Sequence, residues 1–524
     1  MTRERIIRCA FATVAVACAA LCFVVLQTCH RYHFCYQEQT QLFLNSVDFA
    51  RTYFGAPAWL ACLVGDYLTQ FYYYTFAGPA ILTVCLALLG VALFASLRKA
   101  GVGRFVAFGV ALAVAVAVLF FCFSERYRLS SVIALVGGAA AFLLVPVGVR
   151  HWVRALVVFL LGVATFWAFG NGVLVFAALV LLCAVLAWRK RMEMVVAAAA
   201  VLAVVPCSAR VYNMPVGGLF AYPGLGEFCL PSVAVERDLA VVTEYGLGNK
   251  SRVVSLAEES ESPSQLTKFY YNLVMAERGL LPDVLLRWPD NNLGTFSEIS
   301  AETPILVTYS LPDLYWALGD MTHTERAAML ANVFAPGNRN VRMTKRLAEV
   351  NLVAGDRPAA NKYLRLLSQT HVYRHWAEAL LRGEPKSMRP YAEKAATTNL
   401  RDTITTGQNM HTIMMQLLDS NPRNTVALDY ALCSLLQLKD IANFKRDYDR
   451  YCMATHMPRA KRLYQEALCI YLAGSGAAQD EWQRYIQDDD VLRRFGEYNR
   501  QRGSSQFADT YWYYFDKAPR PNAK

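Results

Sequence analysis

Three carboxylates stand out because of where they lie. Glu38, Asp48 and Asp66 are the only acids between Arg5 and Glu125, and all three fall between two long hydrophobic stretches. Acids next to a membrane mark sites more often than acids elsewhere, because water leaves them so few partners. Asp48 and Arg51 sit three residues apart, neighbours on one helical surface. Arg51 there can face a phosphate while Asp48 acts on an acceptor. The plainer account is an intrahelical ion pair worth a few tenths of a kcal/mol. Arg126, in a later short loop, is a second guanidinium able to face a phosphate.

The elements that must position these groups are hydrophobic. From Phe76 to Ala209 the chain is apolar apart from short basic clusters. Crossing ~30 Å of hydrocarbon takes about 20 such residues. The block divides at Phe76–Leu97, Val102–Phe123, Ser131–Val149, Trp152–Phe169, Gly172–Trp188 and Met194–Ala209, and Ile6–Cys29 precedes it. Ala111–Phe121 is apolar on every face, which a soluble amphipathic helix is not. The last span, Ala- and Val-rich and ending at Pro206, is the weakest of the seven.

Basic residues set orientation, since cytoplasmic loops carry the excess. Arg3, Arg5, Arg8, Arg98, Lys99, Arg104, Arg150, Arg154, Arg189, Lys190 and Arg191 fall on one side, against Arg31, Arg51, Arg126 and Arg128 on the other. Eleven against four, alternating loop by loop, predicts a cytoplasmic amino terminus and an external carboxyl-terminal half. The first span has a longer apolar run than a cleaved signal and no clear cleavage site, so it reads as an uncleaved anchor.

Residues 30–75 form the first external loop. Gln41–Phe54 has apolar residues near helical spacing, which predicts a helix lying in the interface plane, and Thr69–Phe76 supplies an aromatic belt. Residues 210–231 hold enough Pro and Gly to make a connector. Residues 232–524 alternate helix, tight turn, helix, the unit of an α-solenoid. Leu352, Gly355, Ala359 and Tyr363 fall near the small and aromatic positions of the tetratricopeptide motif. The expected class is therefore all-α: a seven-span module followed by an external tetratricopeptide-like solenoid. The aromatic run Tyr511–Phe515 is expected to pack on the last helices as a cap.

Other motifs are weaker. The net charge of +11 sits largely in the topology clusters, with no stripe that would grip nucleic acid. Fourteen cysteines include no C-x-x-C; Cys207 with Cys229, or Cys29 with Cys35, can pair in an oxidising compartment or remain thiols. His371 and His375 have metal-ligand spacing but lack the glutamate of H-E-x-x-H. Asp488–Asp490 reads as a solvated loop, and His30 and His33 as boundary residues. No phosphate loop, nucleophile elbow or dinucleotide fingerprint occurs, no metal site is expected, and the cofactor stays open.

Glu38-Gln-Thr-Gln-Leu-Phe43, Leu68-Thr-Gln-Phe-Tyr-Tyr-Tyr74, Glu325-Arg-Ala-Ala-Met329 and Asp509-Thr-Tyr-Trp-Tyr-Tyr514 together resemble a bacterial domain-of-unknown-function family. Its members join a multi-span membrane region to carboxyl-terminal helical repeats, and the resemblance implies no activity. More distantly, seven spans with an acidic first external loop and an external domain look like integral-membrane glycosyltransferases using lipid-phosphate sugar donors. That resemblance implies a loop carboxylate (Asp48, Glu38 or Asp66) as general base or metal ligand, with Arg51 or Arg126 on the donor phosphate. Two functions follow. The first is a bacterial inner-membrane protein presenting a periplasmic repeat domain to an envelope protein or peptide. The alternative is a transferase acting on a lipid-linked sugar.

Overall fold

The computed structural model describes residues 3–186, 191–224, 226–288, 305–398, 409–453 and 461–519. Among them all regular structure is helical. Arg189 and Lys190, two of the topology-setting cations, and Trp188, the expected end of one span, lie outside the described residues. The chain divides into two units, Met1–Leu239 with Leu366–His375, and Ala240–Arg365 with Trp376–Lys524.

In the first unit α1 (Arg3–Cys29) is followed by α2 (Arg31–Thr40), α3 (Val47–Arg51) and α4 (Trp59–Thr69). The bundle continues with α5 (Ala77–Lys99), α6 (Arg104–Phe121), α7 (Leu129–Leu143), α8 (His151–Phe169), α9 (Gly172–Leu186) and α10 (Arg191–Cys207). Short α11 (Ala209–Tyr212) and α12 (Val216–Ala221) lead to α13 (Val233–Gly246), within which the division into units falls. Among the described residues five stretches are long and apolar enough to cross a membrane: Cys9–Cys29, Ala77–Lys99, Arg104–Phe121, His151–Phe169 and Met192–Tyr212. The stretch expected to be weakest is thus one of the long ones. The short ones are α7 and α9, each 15 residues, or about 22 Å at 1.5 Å per residue.

Backbone contact explains how α7 and α9 fit among longer helices. A Cβ on Gly138 would stand 2.0 Å from the Gly172 carbonyl oxygen, and one on Gly172 would stand 2.1 Å from that of Ala134. Small residues that let backbones touch are how helices associate where lipid is as apolar as leucine. Lys99 Nζ donates to the carbonyls of Phe142, Leu143 and Val145, satisfying acceptors that the end of α7 leaves open. At the same end His151 Nε2 lies 3.3 Å from Glu193. At the opposite end Gln37 Nε2 donates to the Tyr127 carbonyl at 2.7 Å, and Asn171 N to that of Tyr222 at 2.8 Å. The loops after α5, α7 and α9 therefore gather apart from those after α1, α6, α8 and α10.

The continuous helix expected over Gln41–Phe54 does not form. Residues 41–45 have no regular structure, and Ser46 caps a five-residue α3, accepting from Phe49 N at 3.3 Å; a 3-10 turn, Thr52–Gly55, follows. The apolar residues turn inward instead: Phe43 packs edge-on to Phe49 at 5.2 Å and to Tyr67 at 5.8 Å. Helical spacing in so short a run was set by this aromatic cluster. Segment Leu366–His375 completes the unit, with Asn45 N donating to the Gln369 carbonyl at 2.7 Å and His371 N to Gln70 Oε1 at 3.2 Å.

The second unit holds α14 (Lys250–Glu258), α15 (Gln265–Glu277), α16 (Leu281–Val284), α17 (Ile305–Leu318), α18 (Met321–Phe334), α19 (Val341–Val353) and α20 (Arg357–Leu367, whose last two residues group with the first unit). Then come α21 (Arg374–Leu381), α22 (Pro385–Thr397), α23 (Met410–Ser420), α24 (Thr425–Gln437), α25 (Ile441–Tyr448), α26 (Arg462–Ser475), α27 (Gln479–Tyr485), α28 (Asp489–Arg500) and α29 (Tyr511–Lys517). Sequence neighbours pack together, as in α17 with α18 and α24 with α25. The α19–α20 turn has Gly355 at φ +78° and Asp356 accepting from Ala359 N at 3.0 Å.

The unit is not a simple one-dimensional stack, in which each repeat touches only its neighbours. α24 is buried without a break from Ala427 to Gln437, and α15, α16 and α17 all pack against it. A helix buried on all faces needs partners all round. Lys461 Nζ fixes this closure, donating to the Gly279 carbonyl at 2.7 Å and to Asp429 at 2.6 Å. The aromatic tail packs as expected: Tyr511 and Tyr514 hydroxyls donate to the Leu436 and Gln437 carbonyls at the end of α24, and Trp512 Nε1 to the Glu466 carbonyl.

Candidate functional sites

The three loop acids have three different described partners. Glu38 is buried on α2, and its Oε2 accepts from the Tyr373 hydroxyl at 3.3 Å. Asp66 accepts from the Tyr53 hydroxyl at 2.8 Å. Asp48 and Arg51 form the intrahelical pair at 3.1 Å, with side chains 91% and 71% exposed. That exposure favours the plain account of their spacing. His371 and His375 do not share a helix, because α21 starts between them at Arg374. His371 instead packs on Phe71 at 5.1 Å. Asp488 caps α28 by accepting from Asp490 N. All fourteen cysteines are free thiols.

Arg126 does reach a cavity. A space of about 480 Å³ in the first unit is lined by His30, Ser124, Glu125, Arg126, Glu227 and Glu236, with Phe123 and Leu230 among its apolar walls. Arg126 Nη1 lies 3.2 Å from Glu227. Glu236 comes from α13 and caps α2 from outside that helix: its Oε1 accepts from Tyr32 N, and its Oε2 stands 3.8 Å from His30 Nδ1. A carboxylate at that place satisfies an open N–H and meets the positive end of the helix. Burial nevertheless raises the Glu236 pKa to about 7 and lowers that of His30 to about 4. Burial also raises Glu125. Both members of the Glu236–His30 pair are thus driven toward their neutral forms. Neither the cap nor the cavity was legible in sequence, because residues 30, 125 and 236 have no fixed spacing.

A second site lies wholly within the second unit. Asp313, 1% exposed, pairs with Arg342 and, at 3.1 Å, with Arg346. Arg346 also holds Glu349 at 2.8 Å and lies over the Trp316 ring at 4.4 Å. On the same ring stands Lys394, 5.5 Å from its centroid. Tyr391 is buried close to Glu349 and Trp376, and Lys345 stands 5.4 Å above Trp376. The side chains of this strip, Lys345, Trp376, Tyr391, Glu349, Arg346, Trp316 and Lys394, are drawn from α17, α19, α21 and α22. Burial, chiefly, lowers the Lys394 pKa to about 8. Lys345 reaches Glu349 only at 3.9 Å.

A bundle rich in long apolar helices, followed by a closed helical unit with a cationic and aromatic strip, defines an all-helical class with membrane-length helices. Within it, residues 5–235 and 228–518 match DUF6057, a family of unknown function, and the chain belongs to that family. No curated protein and no solved structure matches the chain.

Proposed function

We propose that this is a multi-pass protein of the bacterial inner membrane, its amino terminus cytoplasmic, whose second unit is a periplasmic interaction module for an envelope protein or peptide. The observation that carries this reading is the Lys345–Lys394 strip, two ammonium groups on two partly exposed tryptophan rings of a unit whose own core is already filled. Seven crossings are supported by the sorting of loops to two ends of the first unit and by the eleven-to-four charge asymmetry. In this reading α7 and α9 are short spans, and short spans are accommodated by local bilayer thinning. The α19–α20 hairpin supports descent from tetratricopeptide-like pairs that have closed on α24.

A photo-crosslinking residue placed at exposed Met329, Val333 or Arg389 of the full-length protein in cells tests the module. A discrete envelope adduct from one of these faces is the expected result. Absence of any adduct at all three, at normal protein abundance, defeats the module reading.

A lipid-phosphate sugar transferase is the second reading, and one observation favours it. Arg126, able to face a phosphate, lines the same cavity as Glu125, an acid held up by burial. Loss of a glycan product on Glu125→Gln and Arg126→Gln is its test.

A further inference from the structure

We infer that the strip from Lys345 to Lys394 binds an extended acidic peptide segment, its carboxylates on the two lysines and its apolar side chains against the two tryptophans. The inference deepens the interaction-module reading and rests on it.

The charges within the strip are unequally committed. Arg346 is held twice, by Asp313 and Glu349. Arg342 is held by Asp313 and donates to the Val242 carbonyl. Lys394 has no described carboxylate within ion-pair distance; Glu277 is the nearest influence in favour of its ammonium, and the cations Arg346 and Lys250 oppose it. Lys345 has one long pairing with Glu349, which Arg346 already claims at 2.8 Å. Two ammonium groups thus lack a close ion pair of their own, each seated on a tryptophan face. An ammonium over an indole ring stays attracted and oriented while its outer N–H groups remain able to donate.

The form of the strip selects the class of anion. A phosphate or a lone carboxylate is gripped by donors converging on one point. Here the two ammoniums stand on different rings, Lys345 on Trp376 and Lys394 on Trp316. Both rings pack well with apolar side chains. A peptide alternating acidic and apolar residues meets both requirements, and both tryptophans are partly exposed to meet it.

The test uses the full chain in detergent and a fluorescein-labelled octapeptide alternating Glu and Phe, followed by anisotropy. The expected result is saturable binding that weakens at least tenfold when Gln replaces Glu in the peptide. Lys394→Gln is expected to weaken binding about tenfold, Lys345→Gln/Lys394→Gln further, and Lys394→Arg much less. Lys345 is more exposed, so Lys345→Gln alone stands in if Lys394→Gln fails to fold, with a weakening of at least threefold expected. Inorganic phosphate at millimolar concentration is expected not to compete. Equal binding of the Glu and Gln peptides, unchanged binding by the variants, or displacement by phosphate each overturns the inference. The crosslinking test above uses other residues, so a partner captured there with no acid preference here leaves the module standing and removes only the acidic segment.

Discussion

Asp48 shows how far a single residue's spacing carries an argument. Its position relative to Arg51 fits both a donor-phosphate site and an ion pair, and the structure shows the pair, exposed, at 3.1 Å. Asp48→Asn and Arg51→Gln are expected to change thermal stability by no more than about 0.5 kcal/mol, measured by thermal unfolding of the detergent-solubilised protein. Glu236 makes the opposite case, silent in sequence and central in the structure. Its folded pKa of about 7 lies above the unfolded carboxylate value, so the folded state holds the extra proton. Its contribution to stability is therefore complete at low pH and fades as pH rises through about 7. His30, lowered to about 4, works the other way, its contribution growing as pH rises from about 4 to 6.5. The two slopes oppose each other in the mildly acidic range. Glu236→Gln keeps an acceptor for Tyr32 N without the ionisation. The variant is expected to match the parent near pH 5 and to melt higher than the parent at pH 8. A variant melting lower at both would show that the carboxylate charge itself holds the cap.

Helices were the most legible elements. The turns around Gly355 and Asp356, the start of α15 and the aromatic tail all follow from local chemistry that acts within a few residues. What stayed hidden was pairing over long distances. The contact of Gly138 with Gly172, the burial of α24 and the capping of α2 by Glu236 each join residues that no periodicity links. In α3 the periodicity itself misled, because Phe43 and Phe49 repeat to meet each other. Gly138→Val is expected to force α7 and α9 apart and cost about 1–3 kcal/mol, read as a lower midpoint for detergent-induced unfolding. Gly90→Val, with open space around it, is the silent control. Trp512→Ala removes a ring 1% exposed from against α26 and is expected to cost about 3–5 kcal/mol in thermal unfolding. An unchanged melting temperature would mean that α29 is ornamental to the second unit.

For the whole molecule, hydropathy and loop charge made the membrane character legible, and composition marked the change beyond residue 209. The strip was not legible, since four separate helices supply it. A phosphatase fused after Gly248 is expected to be active, and a cytoplasmic reporter at the same point silent. The reverse result would reduce the number of crossings by one. Segment Leu366–His375, which packs with the first unit, has a consequence in time. Ribosomes add about 5–20 residues per second, so the roughly 130 residues between Leu239 and Leu366 take about 6–25 s to appear. For that interval the loop that holds Glu38, Asn45 and Gln70 waits without the segment of chain that finishes it. A polypeptide broken before Leu366 leaves Asn45 N and Gln70 Oε1 without the Gln369 and His371 backbone partners they have in the complete chain.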